Sequence, residues 1–387
     1  MGSIMDLNLK TAIAAMAMLK MEMKSKFSER GEVIDCMAVS LINQSHLLMV
    51  GPPGSGKTRM VSEFSKAMKG VCYFEKQMTN FTEPKHVWGP LDIKKYMDTG
   101  IDECQIAGML PEAEIAMLDE CGRGSKSIMD ELLVLLSDRR YKHGSKLVNV
   151  PLMTCFGASN TFFEEGQEAL FDRFLLRVMV PWVSDMSLKR QIRRSRKAPV
   201  VASSLTREHL LLLQKEVSNV TIPDSVEDIV DEILISLKQA GIERSDRRWQ
   251  WLMNAVAANA LVNGRMVAEA SDLLILAHGL WDKEDEIKIV AGVVKTQSNK
   301  ALAEAEALLD DTIEEWEEIL QKDGGISGVA TARLDRFMTT IGQRGKTLDP
   351  TAPGVKEVLG KFRNLYKEIQ LEKRNRLSKD TGWMDGV

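Results

Sequence analysis

The sequence predicts an α/β fold, a parallel sheet with flanking helices, that gives way to helices alone in the second half of the chain. Three observations predict it. The apolar run Leu47-Leu48-Met49-Val50 enters a glycine-rich loop and leaves it as a helical stretch, the strand-loop-helix order of a phosphate-binding unit. Two further apolar runs, 115–118 and 152–158, end in polar side chains, as core strands of a parallel sheet do at their functional edge. Beyond Thr206 the apolar residues recur only at three- and four-residue spacing.

The loop itself reads Gly51-Pro52-Pro53-Gly54-Ser55-Gly56-Lys57-Thr58, the G-x-x-x-x-G-K-[ST] pattern of a P-loop. Its glycines allow backbone angles that side chains forbid and bring N–H groups around phosphates, while the helix that follows points its positive end at them. Lys57 would bridge the β/γ-phosphates of ATP, and Thr58 would hold Mg²⁺. The second run, Glu114-Ile115-Ala116-Met117-Leu118-Asp119-Glu120, closes on two carboxylates in the manner of a Walker B strand. Asp119 would position Mg²⁺ through its water shell, and Glu120 would polarise the attacking water. A glutamate directly after the aspartate favours hydrolysis over mere switching. The third run ends in Ser159-Asn160, where the amide could orient the same water. In Ala169-Leu170-Phe171-Asp172-Arg173-Phe174-Leu175-Leu176-Arg177, two arginines lie four apart on a predicted helix end. Arg173, beside an aspartate that could orient it, is the first candidate to reach a neighbouring subunit's nucleotide as an arginine finger, and Arg177 the second.

Composition narrows the class. A net charge of −4 argues against a nucleic-acid binder held by bulk electrostatics, since phosphate contacts need clustered Lys and Arg. The five cysteines, Cys36, Cys72, Cys104, Cys121 and Cys155, are odd in number and lack C-x-x-C spacing, so they read as small buried hydrophobes in a reducing compartment. Five scattered histidines offer no metal-binding pair. With no 18-residue apolar run and no signal-like N-terminus, the expected location is the cytoplasm, with no membrane span.

Several segments together resemble the MoxR branch of the AAA+ ATPases, most closely its RavA-type members. They are Phe27-Ser28-Glu29-Arg30, Met78-Thr79-Asn80-Phe81-Thr82-Glu83-Pro84, Trp88-Gly89-Pro90-Leu91, Leu110-Pro111-Glu112-Ala113-Glu114, Ser245-Asp246-Arg247-Arg248-Trp249 and Asn263-Gly264-Arg265. The likeness covers about residues 20 to 285. It implies a hexameric ring ATPase that remodels a protein client, often beside a partner carrying a von Willebrand factor A domain. By motif, Lys57 and Thr58 then correspond to Walker A, Asp119 and Glu120 to Walker B, Asn160 to sensor 1, Arg173 to the finger and Arg247 to sensor 2. The family's two inserted hairpins would fall at 91–110 and at Arg140 to Val148. Cys121-Gly122-Arg123-Gly124, after Walker B, is looser than the family pattern. A Mg-chelatase-like metal-insertion motor, a DNA-translocating relative and a non-hydrolysing switch module stay open as alternatives.

Three divisions follow. Residues 1–198 form the ATPase core, and Ala198 to Ser204 is a linker. Residues 205–290 form an all-α lid, with one apolar stripe over Val226, Ile229, Val230, Ile233, Leu234 and Leu237 and another from Trp249 to Ala260; it sets Arg247 at a helix N-terminus able to face nucleotide. Residues 291–387 form a helical C-terminal region. There an acidic helix with apolar Leu302, Ala305, Leu309, Ile313, Trp316 and Leu320 stops at Asp323-Gly324-Gly325. A second stripe, from Val355 to Ile369, runs into the basic tail Lys373, Arg374, Arg376 and Lys379. The two would pair as a hairpin or serve as a partner-docking arm, and Trp383 would need a pocket.

Overall fold

The structure, a computed structural model, describes residues 2–144, 146–162, 166–184, 189–190, 201–351 and 354–381. Residues 191–197 of the expected core, the first part of the expected linker and Trp383 therefore lie outside the described residues. The chain divides into two compact units, residues 1–228 with 241–287, and residues 229–240 with 288–387.

In the first unit, five parallel strands stand in the order β3-β4-β7-β1-β8: β1 (Leu47–Val50), β3 (Tyr73–Gln77), β4 (Ile115–Asp119), β7 (Thr154–Ser159) and β8 (Leu176–Met179). A two-residue strand β2 (Met68–Lys69) pairs separately with β9 (Leu205–Thr206). Strands β1 and β7 are buried along their whole length, which is why they read as continuous apolar runs rather than alternating ones. Their order decides the site. β7 pairs with β1 on one side, Met49 beside Ala158, and with β4 on the other, Leu118 beside Gly157. The C-terminal tips of three strands distant in sequence thus stand side by side, where ligands bind in open α/β sheets.

Helix α1 (Gly2–Lys26) buries Ala12, Met16, Leu19 and Met23 at helical spacing, and packs on α2 (Gly31–Ile42) and on the helix Arg207–Glu216. Lys20 on its buried side is satisfied by Asp35 at 3.0 Å and by Asn263 Oδ1 at 2.8 Å.

The second insert is the expected hairpin, β5 (Arg140–His143) against β6 (Lys146–Asn149), turning at Gly144 with φ of 61°. The first differs from expectation. Residues 91–110 close through a single antiparallel bridge, Leu91 to Cys104, and fill the turn with a helix, Ile93–Thr99. The stretch lacks strand alternation, and Asp92 caps it by accepting from Lys95 N at 3.1 Å. The second insert stacks Tyr141 on the ring of Trp88, just ahead of the first, at 5.3 Å, and meets the first insert itself where His143 Nε2 lies 3.0 Å from Cys104 O. Two smaller expectations also fail: Cys72 is exposed and Cys104 half-buried, and Leu234 is exposed, because the buried stripe on its helix narrows to Val226, Val230, Ile233 and Leu237.

The second unit has its own core. The helices Lys300–Lys322, Thr331–Thr347 and Val355–Thr381 share a cluster that includes Leu309, Trp316, Leu334, Phe337, Phe362 and Ile369. The acidic and basic helices meet, as expected, but as two members of a three-helix cluster whose middle helix the sequence reading passed over. Trp316 stacks on Phe337 of that helix at 5.0 Å, and Ile313, read as core, is exposed.

Candidate nucleotide site

Gly51 leaves β1 in contact with the neighbouring strand β7, donating from its N–H to Ser159 O at 3.1 Å. A Cβ there would lie 2.2 Å from Val180 O, so only glycine fits. Gly54 and Gly56 take φ of 79° and 92°, left-handed values that cost other residues strain, and Gly56 caps the helix Lys57–Lys66. Lys57 is buried. Its Nζ donates to Gly51 O, to Pro52 O at 3.2 Å and to Asn160 Oδ1 at 3.0 Å. Burial pulls its pKa below the ordinary lysine value, and Asp119 and Glu120 oppose that fall.

Thr58 Oγ1 donates to Asp119 Oδ2 at 2.9 Å. Glu120, next in the chain, has φ of 52°, a left-handed conformation rare outside glycine that turns its side chain back toward β7. There Asn160 Nδ2 donates to Glu120 Oε1, and Arg123 Nε lies 3.4 Å from Oε2. One amide therefore joins the P-loop lysine to the Walker B glutamate. A cleft of about 330 Å³ runs over Gly54, Lys57, Thr58, Gln77, Glu120 and Asn160.

Three features fit a nucleotide with Mg²⁺. The glycine loop leaves open space where Cβ atoms would stand at Gly54 and Gly56. Ser55 Oγ, a loop hydroxyl, is buried without a hydrogen-bond partner among the described residues. Thr58 and Asp119 offer hard oxygen donors, a set suited to a cation that takes its remaining ligands from water and phosphate. Among the described residues no cluster of three or more His, Cys, Asp or Glu could hold a metal unaided.

The two outlying arginines do not join this cleft. Arg173, in the turn after the short helix Glu168–Phe171, lines a separate cavity of about 350 Å³ with His46, Arg139, Trp251 and Asn254. Its Nε is buried without a hydrogen-bond partner among the described residues. Beside it His46 Nδ1 accepts from Cys155 N at 2.9 Å; burial, then Arg139, push the His46 pKa well down. Arg247 is exposed in the first turn of the helix Asp246–Val262, its guanidinium 4.3 Å over the ring of Trp251.

Arg177 needs correction as a finger candidate. It sits on β8, not on a helix end, and is wholly buried, its Nε donating to Phe174 O at 3.0 Å and its Nη1 to Asp282 Oδ1 at 2.6 Å. The apolar stretch around Leu176 reads equally as helix or strand, and the sheet took Leu176 to Met179 as β8. Asp172, expected to orient Arg173, instead pairs with Arg248 and lies 3.9 Å from Arg177.

No sequence motif singles out Trp182. Its Nε1 donates to Pro53 O at 3.2 Å, with the ring largely exposed beside the P-loop. Nearby, Arg30 donates to Pro181 O, and Ser184 N donates to Glu29 Oε2 at 2.7 Å. The Phe27-Ser28-Glu29-Arg30 segment thus braces the chain next to that tryptophan, a pairing across about 150 residues that no local pattern announces.

A parallel sheet with a P-loop after β1, paired acids after β4 and a polar amide after β7, followed by helices, defines an AAA+ type of nucleotide-binding fold. Comparison with known proteins agrees. Residues 14–218 match the family described as the MoxR domain in the MoxR-vWA-beta-propeller ternary systems, and residues 225–294 match an AAA lid domain. The chain belongs to the MoxR family of AAA+ ATPases. It is 34% identical over 293 residues to an uncharacterised protein of Methanocaldococcus jannaschii, covering 76% of each chain. It is 22% identical to the chaperone MoxR1 of Mycobacterium tuberculosis, over 71% of this chain and 73% of that one. A protein from Cytophaga hutchinsonii of known crystal structure shares the fold, with a TM-score of 0.60 and 17% identity over 75% of this chain and 96% of the other.

Proposed function

We propose that this chain hydrolyses ATP with Mg²⁺ and uses the cycle to remodel or assemble a protein client, working as a homo-oligomeric ring, hexameric in the RavA manner, in the cytoplasm. The observation that carries the reading is the convergence of Lys57, Thr58, Asp119, Glu120 and Asn160 in one cleft from three separate strands.

In this reading Lys57 and the P-loop N–H groups hold the phosphates, and Thr58 with Asp119 would hold Mg²⁺, which would supply neutralisation of phosphate charge. Glu120 accepts a proton from the attacking water while Asn160 fixes the direction of its carboxylate. Lys57 meanwhile exchanges loop carbonyls for phosphate oxygens. Arg173, remote from its own chain's cleft, suits a finger acting on the next subunit, and Arg247 a sensor of nucleotide state. The exposed apolar side chains of Ile93 and Met97 on one insert and Leu147 on the other offer contacts to an unfolded client. The matched family's description supports a von Willebrand factor A domain partner. Within this scheme residues 1–198 are the core, 205–290 the lid and 291–387 a partner-facing region.

The test is a pair of variants. Glu120→Gln should bind ATP as the wild type does and lose turnover by about 100-fold or more, because phosphate contacts survive while water activation does not. Lys57→Ala should lose nucleotide binding itself. Undiminished turnover in Glu120→Gln would take Glu120 out of the mechanism.

A further inference from the structure

Among the described residues, one side of the pair formed by the helices Thr331–Thr347 and Val355–Thr381 is left uncovered. A cleft of about 550 Å³ runs between them over Ile341, Leu348, Leu359 and Phe362, and no residue of the acidic helix Lys300–Lys322 lines it. Its rim is basic. Lys346, Arg363 and Lys367 stand along it, and among the described residues none of the three makes an ion pair. The cleft continues along the same two helices into a wider trough that adds Lys373, Arg374 and the exposed Leu371. Its one acidic lining residue, Asp335, is already paired with Lys373.

The floor is also kept low. Gly342 lies inside a regular helix, where glycine is a poor helix former, and a Cβ there would meet nothing within 4 Å. Neither a left-handed backbone angle nor a packing limit explains a glycine at this position. What its absent side chain does is deepen the cleft.

The occupied side of the same pair shows what such a surface takes. There the acidic helix Lys300–Lys322 buries Leu302, Leu309 and Trp316, while Arg344 donates to Glu315 at 2.6 Å and to Thr312 Oγ1 at 2.8 Å. An acidic amphipathic helix is therefore a solution this helix pair already uses. The open cleft offers the same chemistry, an apolar floor with a cationic edge, to a helix presenting apolar anchors at three- and four-residue spacing and carboxylates beside them.

We propose that this cleft docks an acidic amphipathic helix of a partner protein. The proposal concerns the C-terminal helices alone and does not depend on the nucleotide reading, so either can fail without the other.

The experiment uses the full chain and a fluorescein-labelled 18-residue peptide with leucines at i, i+3, i+4 and i+7 spacing and glutamates flanking them. Fluorescence anisotropy should show saturable binding below about 100 µM protein. The same peptide with lysine for every glutamate should bind at least tenfold more weakly, as should a scrambled peptide of the original composition, which keeps the charge and loses the stripe. The triple variant Lys346→Glu, Arg363→Glu, Lys367→Glu should lose at least tenfold in affinity. Gly342→Leu fills the floor without removing charge and favours helix, so it should also lose at least tenfold while its unfolding temperature does not fall. Four results would overturn the proposal: equal binding of the scrambled peptide, wild-type affinity in both variants, an affinity gain of tenfold or more on removing residues 382–387, or concentration-dependent self-association abolished by Gly342→Leu. The third would make the chain's own tail the occupant, and the fourth a second copy.

Discussion

Removing the carboxylate of Asp282 should cost the nucleotide-binding unit more stability than removing Arg177, the larger and more deeply buried partner. Asp282 Oδ1 accepts from Arg177 Nη1 at 2.6 Å and from Arg248 Nη1 at 2.7 Å, while Oδ2 lies 3.2 Å from Arg244 Nε. Three guanidinium groups share this carboxylate, and only Arg177 has no route to water. Breaking a fully buried pair from one side costs about 3–5 kcal/mol, because the surviving charge is left uncompensated. Here Arg177 keeps the carbonyls of Phe174 and Trp281 and lies 4.0 Å over the Phe171 ring, and Asp282 is itself partly exposed. We therefore expect about 2–3 kcal/mol for Asp282→Ala, a fall of about 3–6 °C in the first unfolding transition of a unit this size. Arg177→Met leaves Asp282 two arginines and an apolar stem in place, so its loss should be about 1 kcal/mol. Circular dichroism melts of the full chain, with urea titrations for the free energies, measure both. The pH dependence gives an independent arm. Burial would raise the Asp282 pKa, but Arg177, Arg248 and Arg244 more than offset that and hold it below the ordinary aspartate value. A depressed carboxylate contributes stability that is present above its unfolded pKa and lost as pH falls through its folded one, so the gap between wild type and Asp282→Ala should close on acidification below about pH 4. A larger loss in Arg177→Met than in Asp282→Ala would refute the reasoning.

Three other outcomes follow from the site. Arg173→Ala chains mixed with Lys57→Ala chains should recover part of the ATP turnover that neither has alone, because a mixed interface can take its lysine from one chain and its arginine from the next; no recovery at any ratio would argue against action between subunits. Gly51→Ala should cost about 1–3 kcal/mol and weaken nucleotide binding, since the added Cβ must push β1 away from Val180 O, which thermal melts and ATP titration would both detect. Because burial lowers the Lys57 pKa, the folded chain gives up that proton at a lower pH than free lysine does, so ATP affinity should begin to fall on alkalinisation before an ordinary lysine would titrate; an affinity flat up to pH 10.5 would contradict it.

What the sequence by itself determined was everything written in local pattern. The P-loop could be read because eight consecutive residues carry the turn, the cation and the hydroxyl together. The strands ending at Asp119 and Asn160 could be read because a strand buried on both faces must be apolar throughout, and then breaks sharply into polar residues. The hairpin at 140–149 announced itself through a glycine turn between two short β-runs. Tertiary structure decided whatever depends on which distant segments meet. Strand order, not motif order, puts Asn160 between Lys57 and Glu120. It also turned Arg177 from a candidate finger into a buried strand residue, because an apolar stretch of that length suits helix and sheet alike until a neighbour such as β1 offers hydrogen bonds. The helix Thr331–Thr347 escaped notice for a related reason. Its buried residues, Leu334, Phe337, Met338 and Ile341, are few and set among polar ones and glycines, and they become a core only when Trp316 and Phe362 arrive from other helices to cover them.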